Sequence, residues 1–594
     1  MRCSLKKNYM SYRKKRIVRR ASNGMLNTET LMPGFPAFVS KVLSNRGIHR
    51  KEEMDFSLEA LEPPNFLHID KACGLLSEAL INGESILIIG DYDADGATST
   101  ALAVTALKSL GAAKVDYLVP NRFDFGYGLS PEIVEVAVTK NPDLIVTVDS
   151  GISCCPGVAL AKSKGIKVLV TDHHLPGQML PDADAIVNPN QMGCEFSSKN
   201  TAGVGVIFYV LCALRTHLKS MGWFTHRGLP EPNMANWLDL VALGTVADVV
   251  RLDRNNRILV QKGVERIRKG RTRPGIMMLL KVAGKDYRSV VSSDLGFSVG
   301  PRLNAAGRLD DMTIGIECLI SEDWQQAEMM ASMLNEYNLE RRQLEQEMLT
   351  LSEELVTGLA ESGEQPWGVS LFDPGFHQGI IGLVASRVKD RIHRPVFVFA
   401  PSEDGSELKG SGRGIPGIHL RDSLERISSL SPGLIRKFGG HAAAAGLSIV
   451  SERFCEFRQL FDGVVRNMLS VDDLQPVVLS DGELSADELS MENAHRLREL
   501  APWGQGFPEP VFDGEFDVVS SRIVGTKHLK LLVQPGASPG TDLISRPVVE
   551  AIQFNSPLIG REIPRRLRLA YRMDINHFRG ADSLQLLVDY VEPV

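Results

Sequence analysis

Three aspartates alternate within five positions of the segment "SILIIGDYDADGATST" (85–100). Asp91, Asp93 and Asp95 follow a run of aliphatic residues and precede a glycine. Carboxylates this close repel one another, and each is best solvated by water, so the arrangement needs a partner that neutralises its charge. Carboxylate oxygens are preferred ligands of hard divalent cations. The spacing therefore indicates a cation site.

Two other interpretations of these aspartates are weaker. An EF-hand calcium loop needs a bidentate Glu at its twelfth position, which is Leu102 here. It should also follow a helix, whereas "SILIIG" has the short aliphatic pattern of a buried strand. An acidic turn that caps a helix starting near Ala97 needs one Asp rather than three. The other ligands of a cation site must come from elsewhere in the chain.

Strand and helix patterns alternate from residue 85 to residue 190, with continuously aliphatic strands. This alternation predicts a parallel sheet that is covered by helices on both faces. The expected strands are 85–90, 114–119, 143–148, 167–171 and 184–189, and the expected helices lie near 97–110, 131–140 and 154–164.

The remaining acidic and histidine clusters follow these strands. Asp149 follows the third strand, "TDHH" places Asp172, His173 and His174 after the fourth, and the helical stretch "LGTVADVV" contains Asp248. Because ligand sites gather at the carboxyl ends of parallel strands, we expect these groups to meet the first three aspartates. Roughly five to seven oxygen and nitrogen ligands exceed what one ion needs and predict two ions that share a carboxylate. A set without thiolates favours Mn²⁺ or Mg²⁺ over structural zinc.

The whole chain has 594 residues, which predicts three or four domains, and its net charge is −6. The charge argues against a uniformly basic nucleic-acid coat but leaves room for a local basic groove. Eight cysteines without a C-x-x-C pair indicate a reducing compartment, and the longest apolar run, 203–214, is too short to span a bilayer. We therefore expect a cytoplasmic protein.

The first twenty residues carry nine Lys or Arg and no acid. This pattern favours a solvated, unstructured extension over a basic arm that binds phosphate.

Residues 322–357 contain no Gly or Pro and predict one long helix with Ser321 as its N-cap, joining two domains. Two helices with an unmarked break remain the alternative. Further α/β patterns continue to about residue 470, and from 511 the period-two alternation of "RLRLAYRMDIN" and "LQLLVDYV" predicts a small β-barrel.

In their order, "GDYDADG", "TVDSG", "TDHH" and "LGTVADV" resemble the signature motifs of the DHH phosphoesterase superfamily. More specifically, the chain from about residue 35 to residue 594 resembles the bacterial RecJ exonucleases. The motifs that carry this resemblance are "VPNRFDFGYGLS" (119–130), "GPRLNAAGRLDD" (300–311), "FHQGIIG" (376–382), "KGSGRGIPGIHLRD" (409–422), "FGGHAAAAG" (438–446) and "PWGQGFPEPVFDG" (502–514).

The resemblance implies an α/β fold. A parallel-sheet DHH domain and a second α/β DHH-associated domain are joined by a long helix, and an OB-fold β-barrel follows. The implied divisions are a basic extension and lead-in (1–50), the DHH catalytic domain (51–320), the connecting helix (321–360), the DHH-associated substrate-binding domain (361–470) and the OB-fold nucleic-acid-binding domain (471–594).

The resemblance also implies a set of site residues. The implied metal ligands are Asp93, Asp95, Asp149, His173 and Asp248, with Asp149 as the bridge. Asp91 would be a further ligand or support the others, Asp172 would orient His173, and His174 would contact the scissile phosphate. The sequence departs from the family pattern at Ile89, where many members carry His, and at Gly414, where the family has Ser.

The implied substrate-binding residues come from the other motifs. They are Arg122, Arg302, Asn304, Arg308, His377, Ser411, Arg413, Gly440 and His441. Glycines at 410, 412, 439 and 440 would let backbone N–H groups approach phosphate, and Arg413 would grip its oxygens. In the barrel, the basic residues Arg566, Arg568, Arg572 and Arg579 would face a single strand, whereas Phe512, Phe516 and Tyr571 are expected in the core.

The implied activity is 5′→3′ exonucleolytic degradation of single-stranded DNA to mononucleotides, with two divalent ions, in DNA repair and recombination. Single-stranded DNA, a single-strand-binding protein and a helicase are the implied partners of a monomer that does not bind membranes. The alternatives are a phosphodiesterase for short oligonucleotides or cyclic dinucleotides, which is usually shorter and lacks the barrel, and a non-catalytic DNA-binding scaffold.

Overall fold

The computed structural model describes residues 15–20, 34–121, 128–361, 365–402, 405–536, 546–578 and 581–594. Strand β1 (Arg16–Arg19) and helix α1 (Ala37–Ser44) come first. Residues 16–19 pair in parallel with Val477–Ser480, far along the chain. The expectation of an unstructured extension is therefore wrong for this stretch, because its backbone hydrogen bonds are satisfied by a neighbouring strand.

A five-stranded parallel sheet forms the centre of the first domain, with the order β3-β2-β4-β5-β6. Its strands are β2 (Ser85–Ile89), β3 (Lys114–Leu118), β4 (Leu144–Val148), β5 (Lys167–Thr171) and β6 (Ala185–Val187). Helices cover both faces, which is why β2, β4, β5 and β6 are largely aliphatic and buried, whereas the edge strand β3 carries Lys114 and Asp116. The predicted parallel α/β sheet is confirmed.

The helices of the first domain include the three that the sequence predicts between the strands. They are α2 (Ile69–Asn82), α3 (Ala94–Ser109), α4 (Pro131–Val138), α5 (Cys155–Ser163), α6 (Gly203–Ser220), α7 (Trp223–Arg227), α8 (Leu238–Ala247), α9 (Arg254–Arg268), α10 (Pro274–Val282), α11 (Ser292–Asp294), α12 (Gly300–Leu309) and α13 (Thr313–Ile320).

One helix of 38 residues, α14 (Trp324–Glu361), connects the first domain to the second. Its early residues Ala331 and Leu334 pack into the core of the first domain, and Met348 and Leu349 pack into the core of the second. The predicted single helix is confirmed, but its cap is not Ser321. The side chain of Asp323 accepts the backbone N–H groups of residues 325 and 326, because Asp323 directly precedes the helix.

The second domain is a mixed five-stranded sheet with the order β10-β11-β9-β8-β7. Only β7 and β8 are parallel. Its elements are β7 (Val369–Phe372), α15 (Ile381–Ile392), β8 (Val396–Pro401), β9 (Glu407–Arg413), α16 (Leu420–Leu430), β10 (Ile435–Gly440), β11 (Ala444–Val450) and α17 (Phe454–Met468). Two separate apolar clusters cover the two faces of this sheet.

The C-terminal part is a closed barrel in which the order β13-β14-β15-β17-β16 returns to β13. Its elements are β12 (Val477–Ser480), α18 (Met491–Leu500), β13 (Phe512–Val524), β14 (His528–Pro535), β15 (Val549–Gln553), β16 (Arg566–Phe578) and β17 (Ala581–Pro593). The predicted barrel is confirmed, and with it the three-part fold class.

The barrel shares one apolar core with the first domain. The rings of Phe38 and Phe512 meet edge to face at 6.4 Å, which brings α1 against β13. Nearby, the buried guanidinium of Arg46 pairs with the buried carboxylate of Asp481 at 2.9 Å. Among the described residues, no helix has the length and apolar character needed to cross a bilayer.

Candidate active site

The acidic loops lie where the strand order of the first sheet reverses. The chain leaves β2 for β3 and leaves β4 for β5, which lie on opposite sides of the β2–β4 pair, so a crevice opens at the carboxyl ends of these two strands. Asp91 and Asp93 follow β2, and Asp149 directly follows β4. Each of the three offers a carboxylate oxygen within 4.8 Å of the other two.

Asp95 is fully buried in the first turn of α3 and is held by the start of α6. Its Oδ2 accepts the N–H of Gly203 at 2.7 Å, and its Oδ1 accepts the N–H of Val204 at 3.0 Å. A Cβ at position 203 would lie 2.6 Å from the side chain of Asp149. Because residue 203 is a glycine, the first residue of α6 can contact the carboxylates of both Asp95 and Asp149.

Asp93 is the N-cap of α3, and its Oδ1 accepts the backbone N–H groups of Asp95 and Gly96 at 2.9 and 3.0 Å. The helix-capping interpretation is thus right for one of the three aspartates. Both hydrogen bonds use Oδ1 of Asp93, and its carboxylate also belongs to the cluster with Asp91 and Asp149.

His173 and Asp248 complete the cluster. The Nε2 atom of His173 lies 3.0 Å from Oδ1 of Asp149 and 3.6 Å from Oδ2 of Asp248. Asp95, His173 and Asp248 form a second group whose ligand atoms lie within 4.8 Å of one another, and Asp149, His173 and His174 form a third. Asp149 and His173 each belong to two of the three groups, and of the two only the carboxylate of Asp149 has two oxygens with which it could bind two ions.

Backbone strain accompanies two of these carboxylates. Asp149 has a φ of 59°, and Val249, which follows Asp248, has a φ of 63°. Conformations of this kind cost about 1–3 kcal/mol each and persist where the surrounding structure fixes them. Here they accompany the carboxylates that approach His173.

Burial and mutual repulsion control protonation in the cluster. Loss of hydration, followed by repulsion from Asp248, raises the pKa of Asp95 to about 7. Burial and the charge of Asp93 raise the pKa of Asp248 to about 7. Burial and the carboxylates of Asp95 and Asp93 raise the pKa of Asp149 well above its usual value. Burial lowers the pKa of His173, which keeps the imidazole in its neutral, metal-binding form.

These properties fit divalent cations. Nε2 of His173 is buried and makes no hydrogen bond of suitable geometry to any residue that the structure describes. Bound cations would neutralise the crowded carboxylates and use this nitrogen. Oxygen and imidazole donors without thiolate suit Mn²⁺ or Mg²⁺. The predicted ligands, Asp93, Asp95, Asp149, His173 and Asp248, all lie in this one cluster, together with Asp91.

His174 has a different partner from its neighbour. Oδ1 of the fully buried Asp172 lies 2.8 Å from Nδ1 of His174 and also accepts the backbone N–H groups of His173 and His174. The expectation that Asp172 orients the ring of His173 is therefore wrong, because its carboxylate is directed to the next residue. Burial opposes protonation, but the hydrogen bond with Asp172 raises the pKa of His174 to about 9.

The sequence departs from the family pattern at Ile89 and Gly414, and the structure shows what surrounds each of these residues. Ile89 is fully buried in the apolar core beneath the sheet, so it offers no ligand. A Cβ at Gly414 would lie 3.1 Å from the side chain of Ile418, which is a tight fit for a larger residue.

A cleft of about 590 Å³ lies between the cluster and the second domain. Asp93 and Arg308 line one side, and Ser411 and Arg413 line the other. Nη1 of Arg413 donates to Oγ of Ser411 at 3.2 Å and to the carbonyl oxygen of Gly412 at 2.7 Å. Within the described residues no carboxylate forms an ion pair with Arg413, so the cleft presents a cation suited to an external anion.

The other predicted substrate residues are divided between the cleft and the protein interior. Arg308 donates to the carbonyl oxygen of Gly379 at 3.1 Å and so bridges the two domains at the cleft. Nδ1 of His377 accepts the N–H of Gly379 at 3.1 Å. Asn304 lines the cleft, but its Oδ1 accepts the N–H of Ala94 at 2.8 Å and thereby holds the loop of the first three aspartates.

Arg302 is buried, and its guanidinium donates to the side chain of Asn335 and to the carbonyl oxygen of Ser298. The prediction that Arg302 binds substrate is therefore wrong in this structure, because internal acceptors on α14 and the preceding segment use its donors. Arg122 lies outside the described residues.

Gly440 and His441 lie at the turn between β10 and β11. Gly440 has a φ of 133°, and a Cβ there would lie 2.5 Å from the carbonyl oxygen of Ala444, so the turn itself requires glycine. Partial burial of its ring, followed by the charge of His174, lowers the pKa of His441.

Sequence reasoning missed several residues that line the cleft, among them Tyr92, Gln378, Lys409 and Lys437. Each is next to a predicted residue within a quoted motif or directly before one. Proximity to those motifs was the signal that could have found them.

In the barrel, the expectation for the aromatic residues is confirmed: Phe512, Phe516 and Tyr571 are buried. The predicted basic residues are less available than expected. Arg568 pairs with Asp513, and Arg572 pairs with Asp589 and Glu509. Arg566 pairs with Glu515, and Arg579 lies outside the described residues.

The comparisons with known proteins agree with this geometry. Residues 85–245 match the DHH family, N-terminal domain, residues 364–467 match the DHHA1 domain, and residues 480–590 match the RecJ OB domain. Over 571 residues the chain is 51% identical to the single-stranded-DNA-specific exonuclease RecJ of Dickeya dadantii, covering 95% of this chain and 98% of the relative.

The RecJ of Escherichia coli is 49% identical over 573 residues, covering 96% of this chain and 98% of the relative. Among solved structures, RecJ from Thermus thermophilus in complex with Mn²⁺ superposes with a TM-score of 0.78 at 27% identity, covering 98% of this chain and 79% of that one. With this identity over nearly the full length, the chain belongs to the RecJ family of single-stranded-DNA-specific exonucleases.

Proposed function

We propose that the protein degrades single-stranded DNA from its 5′ end, hydrolysing one phosphodiester at a time and releasing mononucleotides. The observation that carries this proposal is the composition of one cleft. A cation-binding cluster at Asp93 and an anion-binding pair at Ser411 and Arg413 line opposite sides of the same 590 Å³ space. A scissile phosphate at the cluster and a terminal phosphate at Arg413 would then be separated by a single nucleotide.

Two divalent ions, Mn²⁺ or Mg²⁺, would be held by Asp93, Asp95, Asp149, His173 and Asp248, with Asp149 shared between them. Bound there, the ions would lower the pKa of the attacking water and screen the charge of the phosphate. Mn²⁺ is the ion in the Thermus thermophilus structure that this fold matches. Asp91 would support the ligands on the loop after β2.

His174 would donate a hydrogen bond from its Nε2–H to the scissile phosphate, while Asp172 would hold the orientation of the ring through Nδ1. Arg308 would approach the same phosphate from α12, and Asn304 would keep the aspartate loop in place. His377 and His441 would border the strand on the side of the second domain.

The barrel would hold the strand that has not yet entered the cleft, through groups that follow the DNA backbone rather than read bases. Because the barrel and the first domain share one core, its position relative to the cleft is fixed by packing. The protein would act as a cytoplasmic monomer on single strands supplied by a helicase and coated by a single-strand-binding protein.

A test of direction uses one oligonucleotide labelled at either end. With Mn²⁺, a 5′-labelled strand should release its label at once as a mononucleotide, whereas a 3′-labelled strand should shorten progressively. Duplex DNA of the same sequence should persist as the control. Immediate release of the 3′ label, or products that remain several nucleotides long, would contradict the proposal and favour the phosphodiesterase alternative.

A further inference from the structure

The glycines of the second domain fall into two classes that sequence alone does not separate. A Cβ at Gly410 would lie 2.4 Å from the ring of Phe399, and a Cβ at Gly412 would lie 2.3 Å from the ring of Phe397. These two glycines are in β9 rather than in a loop, and they make room for core aromatic rings. The expectation that they bring backbone N–H groups to phosphate is therefore wrong.

At Gly439 and Gly446, no close neighbour within the described protein excludes a side chain. A Cβ at Gly439 would meet nothing within 4 Å, and a Cβ at Gly446 would meet only the carbonyl oxygen of Gly410 at 3.8 Å, an ordinary contact. Neither has the positive φ that would require glycine. Both lie in strands, where glycine is disfavoured relative to residues with side chains. Both are exposed, and both line the catalytic cleft.

The strand register places these glycines in one row. Gly439 pairs with Gly446, and Gly446 pairs with Ser411. Residues paired across neighbouring strands face the same side of a sheet, so all three face the cleft. The next row on that side consists of Lys437, Ser448 and Lys409, and Arg413 is paired with Ala444 on the other flank. The intervening residues, such as Phe438, pack toward the core.

From these observations we infer that Gly439 and Gly446 form a floor that receives the nucleoside of the 5′-terminal nucleotide. Strands lie about 4.8 Å apart, so the floor extends about 10 Å from Ser411 across β11 to β10. That is where the sugar and base belong if the terminal phosphate is held at Ser411 and Arg413. The inference rests on the proposed function, since it takes the phosphate site from it.

A glycine floor has a consequence for specificity. Neither Gly439 nor Gly446 offers a side-chain donor or acceptor to the edge of a base, so this surface accepts any of the four. A side chain there would occupy the space of the nucleoside without touching the phosphate site. This role explains why Gly439 and Gly446 have no side chain. It also explains how the protein could accept every base, which complete digestion of a DNA strand requires.

The test compares Gly439→Val and Gly446→Val with the wild type and with Gly463→Val as a control. Gly463 is in α17, outside the cleft, and a Cβ there also meets nothing within 4 Å. The measurements are the apparent Tm, kcat and KM on 5′-phosphorylated single strands, and the inhibition constants of dAMP and of inorganic phosphate. Gly439→Ala and Gly446→Ala replace the valine variants if those do not fold.

We expect the Tm to stay at the wild-type value in both floor variants. Their KM and their inhibition constant for dAMP should rise about tenfold, the order of one misplaced group in a substrate pocket, with kcat nearly unchanged. Inhibition by inorganic phosphate should stay as in the wild type, and Gly463→Val should resemble the wild type throughout.

Two outcomes would overturn the inference. A wild-type KM and dAMP constant in both floor variants would show that nothing lies on the glycines. An equal loss of dAMP and phosphate inhibition would show that the substitutions disturb the phosphate site instead. A wild-type protein that does not degrade single strands would contradict the proposed function, which is a separate failure.

Discussion

Asp248→Asn should stabilise the metal-free protein while abolishing most of its nuclease activity. Without cations, Asp248 is an acid whose pKa in the folded chain is about 7, against an ordinary value of 3.8. Between these values the folded protein binds a proton that the unfolded chain has lost, so stability falls as the pH rises from about 4 to 7. The shift corresponds to about 4 kcal/mol above pH 7, as an upper estimate.

Asparagine removes this charge, and among the described residues the ion pair of this carboxylate is with His173 at 3.6 Å, which is longer than a hydrogen bond. It also relieves Asp95, for which Asp248 is the largest charge repulsion. Chelator-treated Asp248→Asn should therefore gain stability over the wild type at pH 8, and about 3 kcal/mol more at pH 8 than at pH 5 as an upper estimate.

The assay is urea unfolding of chelator-treated protein at the two pH values, with Asp472→Asn as the control. Asp472 is an exposed acid remote from the cluster in the sequence. Added Mn²⁺ should stabilise the wild type at pH 8 and the variant much less, because one ligand is gone. A variant that is no more stable than the wild type at pH 8, or whose gain is the same at both pH values, would refute this reasoning.

Other predictions follow from the surroundings of single residues. Arg413→Ala should lose the preference for 5′-phosphorylated over 5′-hydroxyl strands in a rate comparison, and a retained wild-type ratio would remove Arg413 as the end reader. Arg46→Ala should destabilise the fold by about 1–3 kcal/mol because the buried Asp481 loses its two hydrogen bonds from Arg46 while it keeps Arg20, Asn45 and the N–H of Val511, whereas replacing both Arg46 and Asp481 should cost less in thermal unfolding. Gly410→Ala should lower the Tm, with a cost of about 1–3 kcal/mol from its clash with Phe399, and an unchanged Tm would contradict the packing role.

Much of the site could be predicted from the sequence because it depends on topology. Aliphatic strands that alternate with helices specify a parallel sheet, and the carboxyl ends of its strands must lie at one edge. Asp91, Asp93, Asp149 and His173 follow such strands, so their meeting required only the strand pattern. The long α14 was equally accessible, since a stretch without Gly or Pro has few ways to end.

The predictions that were wrong for site residues depended on the direction in which a side chain points. Arg302 lies in a motif with Arg308, yet the two arginines are six residues apart on α12, and one is buried whereas the other lines the cleft. Asp172 could have served either of the two histidines that follow it, and only the local backbone directs it to His174. The pairing of residues 16–19 with β12 joins segments more than 450 residues apart, which no local pattern reveals.

The apolar core that the barrel shares with the first domain limits how the role of the barrel can be tested. Removing everything after about Leu500 would expose the core that the barrel shares with the first domain, including the face of α1 that meets Phe512. We therefore expect such a truncation to destabilise the catalytic domain rather than to leave it intact. Substitutions on the barrel surface are the better probe of DNA binding.

The central claim is that one cluster holds two ions through a shared Asp149. Counting bound Mn²⁺ by equilibrium dialysis, with circular dichroism to verify the fold, tests it most directly. The wild type should bind two ions per chain, and Asp149→Ala should keep its fold, lose tight binding of both ions and lose cleavage of single strands. Two tightly bound ions in Asp149→Ala, or near-normal cleavage at saturating Mn²⁺, would contradict the account.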